Sequence, residues 1–408
     1  MADQVNPRLI VPDLARGTAL LGIAMANAAQ AWMINSYSAE LNPGWSVGGV
    51  REGSVIDAIC AVFAAMFVHV RGLPMFSTLL GFGFGLVASS LARKGYTAKE
   101  SRRVLIRRYG ILALFGLAHL FLIFYGDIMF TYGVIGVAMA LLFTLSTKKL
   151  RIIAYTLLGL WTAFTGFAAT VSFFIPEGVE VGFNSSTDTS ELNTVGVWFA
   201  ENLSEAITSL TASPMAVLQL GALSLIGFIW AKERVLIDVS EHRRTLTTWT
   251  VLAAAIIVLL GVPWGLSAAG VLPNRWETAF FMLNQSLGYW TGPGILAALA
   301  LATDSLHNEV PGWAKAFVAL GKRSMSGYLA QSFLFIALVM PFALGIGQDA
   351  TVSGKLLMGL VVWLITLLLA VVLDKADKQG PFEQAHRRLA YGKTGRIEPK
   401  HDRAQIAA

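Results

Sequence analysis

Apolar residues in this chain come in long blocks rather than in alternation. Ten blocks, at roughly 14–34, 71–91, 109–125, 128–146, 152–175, 213–232, 246–268, 280–302, 324–346 and 355–374, are nearly free of charge. About 20 such residues cross the roughly 30 Å hydrocarbon core of a bilayer as a helix. Inside that core a peptide group has no water to bond, so the crossing segment must be helical. The pattern predicts an all-α, polytopic membrane bundle of about ten transmembrane helices.

Charge orients this scheme. Of the 31 Lys and Arg residues, all but Arg51, Arg71, Arg275 and Lys355 fall on one side of it. Basic residues in short loops collect on the cytoplasmic side, which places both termini there. The loop after the second span carries Arg93, Lys94, Lys99, Arg102, Arg103, Arg107 and Arg108, whereas residues 35–54 carry only Arg51. An odd number of crossings must therefore lie between 55 and 92, although that stretch is apolar enough for two short helices. The parity predicts a re-entrant or interfacial helix at 55–68 and one crossing at 71–91. Irregular backbone at membrane depth needs protein or a water-filled cavity around it, so the break at Val70-Arg71-Gly72-Leu73-Pro74 points to a cavity. Residues 176–212 hold six acidic and no basic residues and are expected outside, with a helix near 195–210.

Composition narrows the class. The chain is 55% hydrophobic and 14% charged, which excludes an ordinary soluble domain and a disordered one. The net charge of +6 is spread over many short loops, so it implies topology and contact with anionic membrane lipid, and no nucleic acid. Cys60 is the single cysteine, which rules out an intrachain disulfide and a cysteine-rich metal site; no metal is expected. Arg8 before an apolar run, with Ala26-Asn27-Ala28 after it, imitates a signal peptide, but Asp13 and Arg16 stand where its apolar region would begin. Residues 1–374 are read as one transmembrane domain and 375–408 as a basic cytoplasmic tail.

Ionisable and polar side chains at membrane depth cost several kcal/mol and face a cavity or a partner. On the first span, Asp13, Arg16, Leu20 and Asn27 share a helical face. Asp13 and Arg16 either pair at the interface or bind a ligand, and Asn27 is either interhelical glue or a substrate contact. Two of the six histidines, His69 and His119, lie within apolar segments. Each is either a hydrogen-bonded packing group or a proton-transfer group, imidazole being the side chain most easily tuned near neutral pH. Arg108 and His119 are eleven residues apart and face the same way, with Gly126-Asp127 and Tyr132 close behind. Asp127 either orients an imidazole or forms a surface turn. Gly81-Phe82-Gly83-Phe84-Gly85 lies inside a span, so Gly81, Gly85 and Ser89 are read as a small-residue packing stripe rather than a nucleotide loop. Tyr328, Gln331 and Ser332 share a face of the ninth span, and Asn284, Gln285 and Tyr289 precede a kink at Thr291-Gly292-Pro293-Gly294.

Five stretches together resemble the YeiB-like family, which carries the label domain of unknown function 418. They are Arg8-Leu9-Ile10-Val11-Pro12-Asp13-Leu14-Ala15-Arg16-Gly17 with Gly22-Ile23-Ala24-Met25-Ala26-Asn27; Met75-Phe76-Ser77-Thr78-Leu79-Leu80-Gly81-Phe82-Gly83; Gly116-Leu117-Ala118-His119 with Gly126-Asp127-Ile128; Gly321 to Ser332; and Gly380-Pro381-Phe382-Glu383. That family is similar to the transmembrane acyltransferases that include heparan-alpha-glucosaminide N-acetyltransferase, to whose opening pattern Asp13, Arg16, Gly17 and Asn27 correspond. The catalytic His proposed there follows the Asn in an outer loop. Here residues 28–68 hold no His, so Asp57 matches the loop Asp while the base falls to His69 or His119.

The resemblance implies transfer of an acyl group, acetyl above all, from cytosolic acyl-CoA to a sugar or glycolipid of the cell envelope, at the plasma (inner) membrane. In that reading Arg102, Arg103, Arg107 and Arg108, with Arg16 and Arg323, hold the acyl-CoA phosphates. His119 or His69 is the general base, and Asp127 or Asp57 orients it. Asn27, Arg71, Tyr132, Tyr328 and Gln331 contact the substrates. The glycine stripe also suits a homodimer contact. The competing expectations are a transporter or flippase, motivated by the breaks near 70 and 292, and a non-catalytic scaffold.

Overall fold

The computed structural model describes residues 9–176, 179, 187–306 and 310–400; Arg8, His307 and His401 lie outside them. The described residues form helices and turns with no strand. In chain order these are α1 (Ile10–Asn27), α2 (Val55–Phe63), α3 (Gly72–Arg93), α4 (Ala98–Leu122), α5 (Met129–Leu142), α6 (Thr147–Ser172), α7 (Val195–Lys232), α8 (Arg243–Ala268), α9 (Arg275–Leu287), α10 (Thr291–Thr303), α11 (Lys315–Lys322), α12 (Ser324–Val339), α13 (Val352–Lys375) and α14 (Pro381–Tyr391). Six segments are long and apolar enough to cross a membrane: Val55–Arg93, α4, α6, α7, α8 and α13. Their outer faces carry large exposed apolar side chains, among them Phe164 and Phe167 on α6, Leu259 on α8 and Leu368 on α13. Such bands suit lipid, and the chain is read as a membrane protein.

The periodicity locates most elements and misplaces some ends. The break before the second span falls at His69–Arg71. A π-helical turn over Ala64–Val68 ends α2, Val70 takes φ +55°, and α3 starts at Gly72, with Pro74 tolerated in its first turn. The expected helix near 195–210 is continuous with the sixth block, giving a 38-residue α7 that runs through Pro214. At 1.5 Å per residue it is roughly 57 Å long and exceeds the hydrocarbon core. The eighth block is two helices, α9 and α10, joined by a tight turn at Gly288–Trp290, slightly ahead of the expected kink. The ninth ends at Val339 rather than 346.

The glycine stripe does what its spacing predicts. α3 packs along α7. A Cβ on Gly81 would collide with the Ser224 carbonyl, and one on Gly227 with the Thr78 carbonyl. The two helices thus meet backbone to backbone within one chain. Gly81→Val is expected to destabilise the protein by about 1–3 kcal/mol or more, because neither backbone can yield. Gly22→Ala, where a Cβ meets nothing within 4 Å, should melt with the parent protein in detergent.

Candidate functional site

α4 and α5 form a hairpin whose turn sets the central geometry. The backbone of Gly116 lies so close to Met129 and Phe130 that a Cβ would not fit. The end of α4 is held from outside the hairpin by Asn202 of α7. Its amide nitrogen donates to the Leu120 and Phe121 carbonyls (both 3.1 Å), and its oxygen accepts from Tyr125 N–H (2.8 Å). These are carbonyls a helix end leaves unpaired, so a buried Asn fixes the turn carrying His119.

Within that turn, Asp127 and His119 meet. Asp127 Oδ1 accepts from Phe130 N–H at 2.7 Å, which caps the start of α5. Its Oδ2 lies 2.7 Å from His119 Nδ1, and His119 Nε2 lies 3.0 Å from Ser332 Oγ on α12. All three residues are buried. A carboxylate accepts hydrogen bonds, so Nδ1 carries the imidazole proton. In the neutral imidazole Nε2 is then the lone-pair nitrogen, to which the Ser332 hydroxyl can donate. The arrangement is a buried carboxylate–imidazole–hydroxyl relay. Phe124 sits edge-on to the imidazole at 6.2 Å, and the Tyr328 ring lies 5.4 Å away.

Tyr328 joins this relay to a cavity of about 770 Å³. The cavity is lined by the first half of α1, one face of α3, the middle of α4, the start of α5, the turn after α7, the end of α10, the end of α11, the start of α12 and α14. Its apolar portion includes Leu20, Ile23, Phe76, Leu112, Met129 and Tyr132. Its other end carries Arg16, Arg93, Arg108, Arg234, Lys322 and Arg387 against the carboxylates Asp13, Asp304 and Glu383. Arg16 pairs with Asp13 at 3.3 Å. The Arg108 guanidinium bonds the Tyr391 hydroxyl (2.5 Å) and stacks between the Tyr109 and Tyr391 rings, while its buried Nε–H has no partner among the described residues. Tyr132 bonds Ser77 (3.2 Å) and the Leu73 carbonyl (3.1 Å). Gln331 lies outside the cavity lining; it donates to the Leu20 carbonyl (3.2 Å), and its buried Oε1 accepts nothing among the described residues.

The remaining expected site residues lie elsewhere. Arg102 bonds the Ala140 carbonyl (3.2 Å) and stacks on Phe143; neither it nor Arg103 nor Arg107 lines the cavity. Arg323 is tied to Asp374 and to the Lys378 and Ala319 carbonyls, as a clasp between α12 and the end of α13. Asn27 is half-buried at the end of α1, away from the cavity. Asp57 accepts from Thr351 (2.8 Å), Ser353 (2.6 Å) and Arg51 N–H (3.2 Å), which joins α2 to the start of α13. His69 packs on Trp264 at 5.6 Å, with neither ring nitrogen in a well-formed hydrogen bond among the described residues. Arg71 is buried, and among the described residues its guanidinium meets only neutral oxygens.

Residues 230–393 match the family described as Protein of unknown function (DUF418). Over 407 residues and 95% of each chain, the sequence is 24% identical to "Uncharacterized protein YxaH" of Bacillus subtilis (strain 168). It is 22% identical over 413 residues to "Uncharacterized protein YeiB" of Escherichia coli (strain K12), covering 95% of this chain and 97% of that one. The chain is thus similar to YeiB-like DUF418 proteins, the family match falling in its second half and the two relatives extending the likeness over nearly all of it. The matched DUF418 region holds Tyr328, Gln331, Ser332 and α14, but not His119 or Asp127, so the relay joins that region to the preceding half of the chain.

Sequence reasoning assigned the tail to solvent and so missed His386 and Arg387. In the structure α14 docks on α4: His386 Nε2–H donates to the Arg108 carbonyl (2.9 Å), and Phe382 packs edge-on to Phe115. Burial first, and then the nearby Arg108 and Arg387 cations, push the His386 pKa down to about 4 from 6.5. A histidine depressed on docking stabilises the docked state fully above about pH 6.5, and that contribution is lost as pH falls through about 4. Amide exchange over 381–391, corrected for intrinsic rate, should therefore quicken between pH 7 and pH 4.5. His386→Phe should remove that pH dependence.

Proposed function

We propose that this protein is a membrane acyltransferase, taking an acyl group, acetyl first among candidates, from cytosolic acyl-CoA and delivering it to a sugar or glycolipid of the cell envelope. The observation that carries the reading is the Asp127–His119–Ser332 relay directly behind a cavity that is cationic at one end and apolar at the other. A CoA thioester has that polarity: phosphates at its head, an acyl chain at its tail. In this reading ten segments span the plasma membrane with both termini inside, so the cationic end opens to the cytosol. Arg108, Arg93 and Arg387 meet the phosphates, with Arg108 Nε–H as an available donor. His119 then removes a proton from the attacking hydroxyl or amine, with Asp127 holding its tautomer and stabilising the imidazolium that forms.

The transporter reading loses its motive at residue 70. The guanidinium of Arg71 is spent on helix-end carbonyls, and it does not line the cavity described above.

The test uses full-length protein in detergent or nanodiscs. Acetyl-CoA should bind, and radiolabel should pass from it to an envelope glycolipid fraction. Arg108→Gln should weaken binding roughly 10–100-fold, the value of one charged hydrogen bond. Failure of acetyl-, octanoyl- and palmitoyl-CoA alike to bind would remove the proposal.

A further inference from the structure

We infer that Ser332 is the nucleophile of a two-step transfer, and that the acyl group rests on its Oγ as an ester before it reaches the acceptor. This rests on the acyltransferase reading and adds a covalent intermediate to it.

Three observations carry the inference. First, a serine inside a helix ordinarily donates to the carbonyl one turn back, as Ser77, Thr78, Thr162, Thr165 and Ser172 do here. Ser332 departs from that habit: its hydrogen-bond partner is His119 Nε2, at 3.0 Å. Second, the imidazole is committed on its far side. Asp127 Oδ2 holds Nδ1 at 2.7 Å, so in the neutral imidazole the lone pair on Nε2 faces the Ser332 hydroxyl, 3.0 Å away. A general base that served only an external acceptor would need that lone pair facing the cavity, and here it faces a protein hydroxyl. Third, Ser332 lies one helical turn beyond Tyr328, on the same face of α12, and Tyr328 lines the cavity. The Tyr328 hydroxyl makes a long contact to the Gly126 carbonyl, 3.4 Å, beside the backbone of Ile128. In this mechanism a rotation of that side chain joins the acyl end of the cavity to the serine.

The chemistry balances without an added reagent. Ser332 Oγ attacks the thioester carbonyl while its proton passes to His119 Nε2. The tetrahedral adduct collapses with cleavage of the carbon–sulfur bond, and the imidazolium returns its proton to the departing CoA thiolate. The products are CoA thiol and a serine ester. An acceptor hydroxyl or amine then attacks the ester carbonyl and gives its proton to His119. The carbon–oxygen bond breaks, and Ser332 recovers its hydrogen. The carboxylate of Asp127 keeps one tautomer through both halves.

The distinguishing experiment needs no knowledge of the acceptor. Full-length protein in detergent is incubated with acetyl-, octanoyl- or palmitoyl-CoA in the absence of envelope lipid, quenched in acid and digested. Mass spectrometry is expected to find one acyl group on the peptide that contains Ser332. Up to one equivalent of CoA thiol should be released per protein. Ser332→Ala should show neither, and Ser332→Cys should trap the acyl group as a hydroxylamine-labile thioester. Because wild-type mapping suffices alone, poor folding of a variant leaves the inference testable. No adduct with any thioester, together with transfer by Ser332→Ala within threefold of wild type and loss of transfer in His119→Ala, would overturn the covalent step while leaving the base intact. Undiminished transfer in His119→Ala would instead overturn the acyltransferase mechanism itself.

Discussion

Replacing His119 with alanine should lower acyl transfer by roughly 10²–10⁴-fold, the usual contribution of a positioned general base, while acyl-CoA binding stays near the wild-type value. The separation follows from geometry. His119 is absent from the cavity lining, and Tyr328 stands between it and the space a thioester would fill. The substitution therefore removes proton transfer without removing a binding contact. Asp127→Asn should also be slow, but for a different reason. An amide in that place can donate to Nδ1 and so favour the tautomer with hydrogen on Nε2, which turns the lone pair away from Ser332. The cap on α5 is kept, since the amide oxygen in the place of Oδ1 still accepts from the Phe130 amide, held at 2.7 Å in the parent. Both His119→Ala and Asp127→Asn should thus lose turnover with modest loss of stability, whereas Asp127→Ala, which removes the cap as well, should lose both. Rates measured with labelled acetyl-CoA, beside thermal melts in the same detergent, separate these cases. Equal melting of Asp127→Asn and Asp127→Ala would show that the cap contributes little.

How much of this was legible in the sequence depends on the distance over which each contact forms. His119 and Asp127 sit eight residues apart across one tight turn, and the local pattern of Gly116, His119 and Gly126-Asp127 already pairs them. Ser332 shares a face with Tyr328 and Gln331, which is readable from helical spacing. Its partner is 213 residues away, however, and no periodicity encodes that meeting. The arginines of α4 illustrate a second limit. Arg102, Arg103, Arg107 and Arg108 are equivalent as charges, yet only Arg108 lines the cavity, and the phase of a helix within its bundle is a tertiary property. His69, Asp57 and Arg71 illustrate a third. A polar residue in an apolar run must find a partner, and the sequence does not tell a ligand from a carbonyl. The tail shows the converse: an amphipathic α14 behind a basic linker reads as solvated until its docking on α4 is seen.

Arg71 supplies the prediction that separates those meanings most sharply. Its Nε lies 2.8 Å from the Met66 carbonyl, Nη2 3.3 Å from that of Ala65, and Nη1 2.8 Å from Asn284 Oδ1 and 3.1 Å from the Val70 carbonyl. Asn284 in turn donates to the His69 carbonyl, at 3.4 Å. The Ala65 and Met66 carbonyls belong to the last turn of the α2 segment, where a helix exposes unpaired oxygens and the negative end of its dipole. No carboxylate pairs with this guanidinium among the described residues; the helix end takes that role. Arg71→Met keeps the apolar stem and removes every donor, leaving two or more buried carbonyls and one amide oxygen unsatisfied. At about 1–3 kcal/mol for each such group, the expected loss is about 3–5 kcal/mol, enough to unfold many proteins of ordinary stability. Arg71→Lys should recover only part of it, since an ammonium presents a point charge where four oxygens surround a planar fork. The readout is thermal or denaturant unfolding in detergent, with turnover normalised to folded protein. Wild-type melting with lost turnover in Arg71→Met would make this arginine a ligand contact. Lower melting with normal turnover per folded molecule would make it the strut that holds the break between α2 and α3.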